Sequence, residues 1–119
     1  YQRNKIAKLY TNGLSKISNK IFPPKIPKGY THSFQMYTIR VNKKIRKKLV
    51  SYLKKNHIEA SVHFDPPLHK MSYLKKFYKK RLPTTEKLCK ELITLPIYPE
   101  MGRNEVNYVL NKIKTFYKN

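Results

Sequence analysis

Hydrophobic residues recur at intervals of three and four in three separate stretches of the chain, a spacing that predicts three amphipathic helices. The first covers residues 1–17, the second follows the potential N-cap Asn42 and runs to about Lys55 or Asn56, and the third follows Gly102. Their apolar positions are Ile6, Leu9, Tyr10, Leu14 and Ile17; Ile45, Leu49, Tyr52 and Leu53; and Val106, Val109, Leu110, Ile113 and Phe116.

Three shorter stretches predict β-strands. Ser33–Val41 is dense in aromatic and branched residues, and Ile58–Phe64 alternates apolar and polar positions, which leaves the face carrying His63 free for chemistry. Ile93–Ile97 follows a short helix predicted to begin at Pro83. Strands alternating with helices predict an α+β, two-layer domain with a small three-stranded sheet and helices packed mainly on one face.

Prolines divide the chain. The stretch from Pro23 to Gly29 forbids helix and acts as a stiff connector, so we place a boundary after residue 20 and expect the apolar stripe of residues 1–17 to lie uncovered without a preceding unit. Asp65-Pro66-Pro67 ends the second predicted strand. For Leu68–Lys80 we expect a loop with a short helix around Tyr73–Tyr78.

Charge changes the picture less than its size suggests. The chain has 27 basic and 6 acidic residues, a net charge of +21, and its five arginines leave 27 − 5 = 22 lysines. Base and bidentate phosphate recognition favour arginine, and the lysines are scattered, so nucleic-acid binding is the alternative and not the first hypothesis. No apolar run is long enough to span a membrane, and the lone Cys89 cannot form an internal disulfide. We therefore expect a cytoplasmic protein that does not associate with membranes. Because the sequence starts at Tyr1 without an initiator Met, we also expect a chain truncated at its front.

The densest group of functional side chains follows the second predicted strand. His63, His69, Lys70 and Tyr73 can all donate hydrogen bonds, which suits a ligand that carries phosphate and sugar hydroxyls. On residue types alone, a purely structural interpretation has similar weight to the ligand site: His63 would be an exposed strand residue and Tyr73 a core aromatic residue. His63, Asp65 and His69 do not have the spacing of a zinc site, and Cys89 lies among apolar residues unsuited to a nucleophile. We expect no catalytic residue and no metal in this chain.

A set of short motifs runs along nearly the whole chain: Tyr37-Thr38-Ile39, His63-Phe64, Pro67-Leu68-His69, Tyr73, Leu82-Pro83, Glu86-Lys87-Leu88 and Leu95-Pro96-Ile97-Tyr98-Pro99. In order and spacing they resemble the C-terminal small domain of the DegT/DnrJ/StrS family of nucleotide-sugar aminotransferases. The resemblance implies a fold-type I enzyme that uses pyridoxal phosphate to move an amino group, usually from glutamate, to a keto-sugar on a nucleotide diphosphate.

The same resemblance implies which part of the enzyme this chain forms. Residues 1–20 correspond to the end of the interdomain helix and residues 21–119 to the small domain, whereas the cofactor lysine belongs to a large domain outside this chain. It implies packing on that large domain, a homodimer in the parent enzyme, and substrate contacts through His63, His69 and Tyr73. Where the family usually ends the second helix with glycine, this chain has Asn56-His57, and we expect Asn56 to take the left-handed conformation.

Overall fold

The computed structural model describes residues 1–118. Its helices are α1 (Gln2–Ile17), α2 (Lys43–Lys55), α3 (Pro83–Cys89) and α4 (Arg103–Lys118), with a 3₁₀ helix at Leu68–Lys70, and its strands are β1 (Tyr37–Arg40) and β2 (Leu92–Leu95). The three predicted amphipathic helices and the short helix at Pro83 are confirmed. The prediction of a short helix around Tyr73–Tyr78 is wrong, because that segment forms consecutive turns after the 3₁₀ helix.

The sheet has two antiparallel strands and not the three predicted. β1 pairs with β2 so that Ile39 lies opposite Ile93 and Thr38 opposite Thr94. The predicted strand at Ile58–Phe64 is reduced to a single bridge, in which Ser61 pairs with Thr94 on the outer side of β2. The Ala60 N–H donates back to the Ile58 carbonyl at 2.8 Å, and this tight turn, followed by the prolines at 66 and 67, leaves no length for a ladder.

The other two strands are shorter than predicted. In the Ser33–Val41 stretch, Phe34 has a φ of 50° and its N–H donates to Nδ1 of His32 at 2.8 Å, so the chain becomes extended only at Tyr37. At the far end, β2 stops at Leu95 instead of Ile97 because Pro96 has no N–H to donate to the ladder.

The long helices cover one face of the sheet. Ile39 and Ile93 are fully buried on that face, in one cluster with apolar side chains of α1, α2 and α4. The opposite face carries the paired hydroxyls of Thr38 and Thr94, whose Oγ1 atoms lie 3.1 Å apart. This division leaves the polar face of the sheet for the segment that follows Ser61.

Helix α1 belongs to this core. Tyr10 and Leu14 are fully buried, Tyr10 stacks on Tyr37 with ring centroids 5.0 Å apart, and its hydroxyl donates to the Pro96 carbonyl at 3.0 Å. At Gly13 a Cβ would lie 2.3 Å from Cδ1 of Leu110, so glycine is what allows α1 and α4 to approach closely. The expectation that the α1 stripe lies uncovered is therefore wrong, while the boundary after residue 20 stays a prediction.

Helix α2 begins at a side-chain N-cap and ends at a left-handed residue. At its start the Asn42 side chain accepts a hydrogen bond from the Lys44 N–H at 2.9 Å, which confirms the predicted N-cap. At its end Asn56 has a φ of −97°, and the left-handed residue is His57, with a φ of 58°. The prediction that Asn56 takes this conformation is therefore wrong by one position.

Candidate functional site

A groove opens between the segment after Ser61 and helix α3. Its volume is about 510 Å³, and it is lined by His63, Phe64, Pro67, Leu68, His69, Tyr78, Leu82, Thr85 and Cys89. The lining is mostly apolar and aromatic, with two imidazoles as its principal polar groups. Such a combination of an apolar surface and a few directed polar groups is typical of small-molecule sites.

His63 is oriented from the polar face of the sheet. The bridge between Ser61 and Thr94, with N–H to carbonyl distances of 3.0 and 2.8 Å, fixes the backbone two residues before it. Its Nδ1 then lies 3.3 Å from Oγ1 of Thr94 and 3.4 Å from Oγ of Ser61. Because Nδ1 is engaged by hydroxyls, Nε2 is the ring nitrogen available to a ligand, as donor or acceptor according to the tautomer.

His69 is held by Glu86. Its Nε2 lies 3.3 Å from Oε1 of Glu86, and its ring meets the edge of Tyr78 with centroids 6.1 Å apart. The same carboxylate accepts hydrogen bonds from Nζ of Lys70 at 2.7 Å and from the Leu82 N–H at 3.1 Å. Glu86 thus ties both ends of the 70–82 segment to α3.

These bonds make Glu86 strongly acidic. The hydrogen bond from Lys70 is the largest influence that lowers its pKa, to about 2, and those from Leu82 and His69 act in the same direction. The sequence motifs include Glu86 without assigning it a task. The signal that could have found it is an acidic residue in the first turn of a proline-initiated helix, next to a run of cations.

Tyr73 does not join the two histidines. It is 63% exposed, and within residues 1–118 its hydroxyl hydrogen-bonds only to Sδ of Met71, at 3.5 Å. The aromatic ring beside His69 is that of Tyr78 instead. The structure therefore brings two of the three predicted contact residues to one groove and leaves the third on the surface beside it.

Asp65 is engaged by a cation of the protein. Oδ2 of Asp65 lies 2.5 Å from a guanidinium nitrogen of Arg46, which projects from α2. This ion pair fixes the start of the Pro66-Pro67 segment. Within residues 1–118 no three His, Cys, Asp or Glu side chains converge in a way that could hold a metal ion.

The lysines of this chain do not suit the formation of an imine with pyridoxal phosphate. A lysine that forms such a bond is activated by desolvation or by a neighbouring cation in a closed pocket. Among residues 1–118, Lys112 is half-buried and every other lysine is exposed. None lines the groove that holds His63 and His69. The residues present therefore do not fit the covalent attachment of this cofactor.

The groove with its two oriented imidazoles therefore lies on a two-layer domain of four helices and a two-stranded sheet. The model of the DegT/DnrJ/EryC1/StrS aminotransferase family matches residues 1–114. The chain belongs to this family, as the sequence motifs predicted.

The chain is also similar in sequence to individual proteins. The chain is 37% identical to a pleiotropic regulatory protein of Geobacillus stearothermophilus, over 98% of this chain and 32% of that protein. It is 28% identical to the dTDP-4-dehydro-2,3,6-trideoxy-D-glucose 4-aminotransferase of Saccharopolyspora spinosa, over 95% of this chain and 29% of that enzyme. The chain thus spans about a third of the length of these relatives.

The fold has solved counterparts. The putative sugar aminotransferase Spr1654 of Streptococcus pneumoniae superposes in its PMP form with a TM-score of 0.86 and in its PLP form with a TM-score of 0.83, each at 24% identity. The superpositions cover 98% of this chain and 30% or 31% of that protein. Within residues 1–118, no helix has the length and apolar character needed to cross a bilayer.

Proposed function

We propose that this chain is the C-terminal, substrate-contacting domain of an aminotransferase that transfers an amino group from glutamate to a nucleotide-linked keto-sugar. The observation that carries the proposal is that His63 and His69 line one groove in a chain of the aminotransferase family. A relative named as a dTDP-sugar aminotransferase supports the choice of substrate. Residues 1–20 form the end of an interdomain helix and residues 21–119 the small domain.

The groove supplies binding and orientation. Nε2 of His63 meets a hydroxyl or phosphate oxygen of the substrate, while His69 is held ready by Glu86 and Tyr78. Tyr73, on the surface beside the groove, contacts the part of the substrate that extends outwards. These three residues are positioning and binding groups, and no catalytic nucleophile is assigned to the chain.

Pyridoxal phosphate, the cofactor of the family, would be held by a large domain outside this chain. The surfaces that this domain leaves free would pack on that large domain and on a second copy of the enzyme, in the cytoplasm. The cofactor supplies the electron sink for amino transfer when bound. This chain would contribute closure over the sugar-nucleotide side and exclusion of water.

Two half-reactions of the full-length protein test the proposal. His63→Ala and His69→Ala should lower kcat/KM for the sugar nucleotide by about 10- to 150-fold, the value of a hydrogen bond to a charged group, with a smaller loss for Tyr73→Phe. The glutamate half-reaction should change far less, because the amino donor does not contact this groove. Single-turnover kinetics and a melting curve are measured for each variant.

His32→Ala is the matched control, since His32 lies outside the groove and its Nδ1 accepts a hydrogen bond from the Phe34 N–H. It should leave both half-reactions unchanged. Equal losses in both half-reactions for the groove variants would indicate a general catalytic role. No loss in either would return His63 and His69 to a structural role and refute the proposal.

A free-standing lysine-rich module that binds nucleic acid is the second candidate. The chain's charge of +21 favours it, although scattered lysines predict only weak, sequence-independent binding that is lost with salt. Tight, sequence-selective binding at physiological salt would promote this candidate over the first.

A further inference from the structure

The segment that directly precedes helix α3 carries an unusual density of positive charge. Residues 70–81, which we call the basic loop, contain six cations and no acidic residue: Lys70, Lys75, Lys76, Lys79, Lys80 and Arg81. All six line a second groove of about 630 Å³, together with His69, Ser72 and Tyr78. The basic loop therefore surrounds a concave surface with positive charge.

Most of this charge has no carboxylate partner in the described part of the chain, although Lys76 lies over the ring of Phe77. Within residues 1–118, Lys70 and Arg81 lie 2.7 and 3.7 Å from Oε2 of Glu86, and none of the other four cations comes within 4.0 Å of a carboxylate. Like charges crowded around one groove repel each other and raise the local positive potential. An anion placed in the groove would relieve that repulsion.

The basic groove continues the groove that contains the histidines. His69 and Tyr78 line both of them. The groove that contains His63 is mostly apolar and aromatic, and the groove of the basic loop is cationic. A ligand that spans both grooves needs an uncharged, hydroxyl-bearing part joined to a strongly anionic part.

We propose that the basic loop binds the diphosphate of a nucleotide-linked sugar, whose sugar and adjoining phosphate oxygens lie toward His63 and His69. The identity of the ligand rests on the proposed function, whereas the anion site rests on the groove itself. Five of the six cations are lysines, which act as mobile point charges and suit a flexible diphosphate better than they suit the reading of bases. Glu86 anchors both ends of the loop to α3 and keeps the cations gathered on one side.

Titration calorimetry of the 119-residue chain tests the anion site without the aminotransferase reaction. The probes are UDP and dTDP, with uridine, thymidine and inorganic pyrophosphate as separate arms. The two nucleoside diphosphates should bind, the nucleosides should bind far more weakly, and binding should weaken as salt rises toward about 0.15 M. Lys79→Gln/Lys80→Gln should weaken diphosphate binding by about 3- to 10-fold.

Lys47→Gln/Lys48→Gln is the matched control, because it removes the same charge from exposed positions on α2 that line neither groove. It should change affinity by less than about 2-fold. Equal losses in both double variants, or no binding of UDP and dTDP at millimolar concentration, would overturn the proposal. Because the proposed contacts are to the diphosphate itself, pyrophosphate should bind at least as tightly as UDP. Binding of UDP without binding of pyrophosphate would place the contacts on the nucleoside and overturn the proposal.

Single-stranded RNA provides the last arm. If RNA binds more tightly than UDP at about 0.15 M salt and the basic-loop variant abolishes that binding, the loop is a nucleic-acid surface and the proposal fails. Failure of the proposed function is seen elsewhere, in the half-reactions of the full-length protein. An active aminotransferase whose basic-loop variant has unchanged KM for the sugar nucleotide would refute this inference alone.

Discussion

The end of helix α2 offers a sharp test of local backbone chemistry. The Ile58 N–H donates to the Leu53 carbonyl and the His57 N–H to the Lys54 carbonyl, both at 3.0 Å, which is the Schellman arrangement. That arrangement places His57 at a φ of 58°. A residue other than glycine in the left-handed region costs roughly 1–2 kcal/mol, and glycine at the same site regains part of this after a backbone-entropy cost of about 0.5–1 kcal/mol.

His57→Gly should therefore raise the free energy of unfolding by about 0.5–1 kcal/mol, since the side chain of His57 is exposed and loses little on removal. The neighbouring Asn56→Gly should do the opposite and cost about 1–2 kcal/mol. Asn56 has a negative φ, and its side-chain N–H donates to the Tyr52 carbonyl at 2.9 Å, so glycine removes a hydrogen bond without relieving strain.

Urea unfolding followed by circular dichroism measures both variants against the parent chain at one pH. The dependence of the unfolding free energy on urea should stay the same in all three, so the shift in midpoint reports stability alone. Thermal midpoints should move in the same directions, by about 3–6 °C for each kcal/mol in a chain of this length. If Asn56→Gly proves the stabilising change, the left-handed residue has been assigned to the wrong position and the reasoning fails.

Two further outcomes concern helix contact and pH. Gly13→Ala adds about 1 kcal/mol of helix propensity but forces a Cβ against Leu110. The substitution should therefore be neutral or destabilising alone and stabilising in a Leu110→Ala background. Additive effects on the free energy of unfolding, in a double-mutant cycle measured with urea, would contradict this. Glu86 has its folded-state pKa lowered from 4.5 to about 2, so its contribution is present above about pH 4.5 and is lost as pH falls toward 2. The stability gap between the parent chain and Glu86→Gln should close over that interval, and thermal melts showing a constant gap would argue against the Glu86 hydrogen bonds.

The sequence predicted the helices well because a helix is specified by its own residues. The stripe from Val106 to Ile113 and the cap at Asn42 are both local signals, and both are confirmed. A strand depends on a distant partner. The alternation in Ile58–Phe64 is that of a strand, yet β2 offers this segment only Thr94 as a partner, and the turn at Ala60 and the prolines that follow limit the pairing to Ser61.

The candidate site was predictable to the same extent. Residue types alone pointed to His63 and His69, because imidazoles after a strand end are chemically conspicuous. They could not separate Tyr73 from Tyr78, since the turns after Met71 decide which ring faces His69. Nor could they single out Glu86, whose role depends on Lys70 and Leu82 arriving at it from opposite ends of a loop.

The position of the groove follows from the uneven covering of a two-stranded sheet. Side chains alternate between the faces of a strand, so the pairing that buries Ile39 against Ile93 also turns Thr38 and Thr94 to the opposite face. Helices α1, α2 and α4 occupy the apolar face, and the segment after Ser61 covers the polar one. His63 meets the hydroxyl of Thr94 there because that face offers hydrogen-bonding partners that the apolar face lacks. The alternation that builds the core thus also orients His63, whereas His69 is held from helix α3 by Glu86.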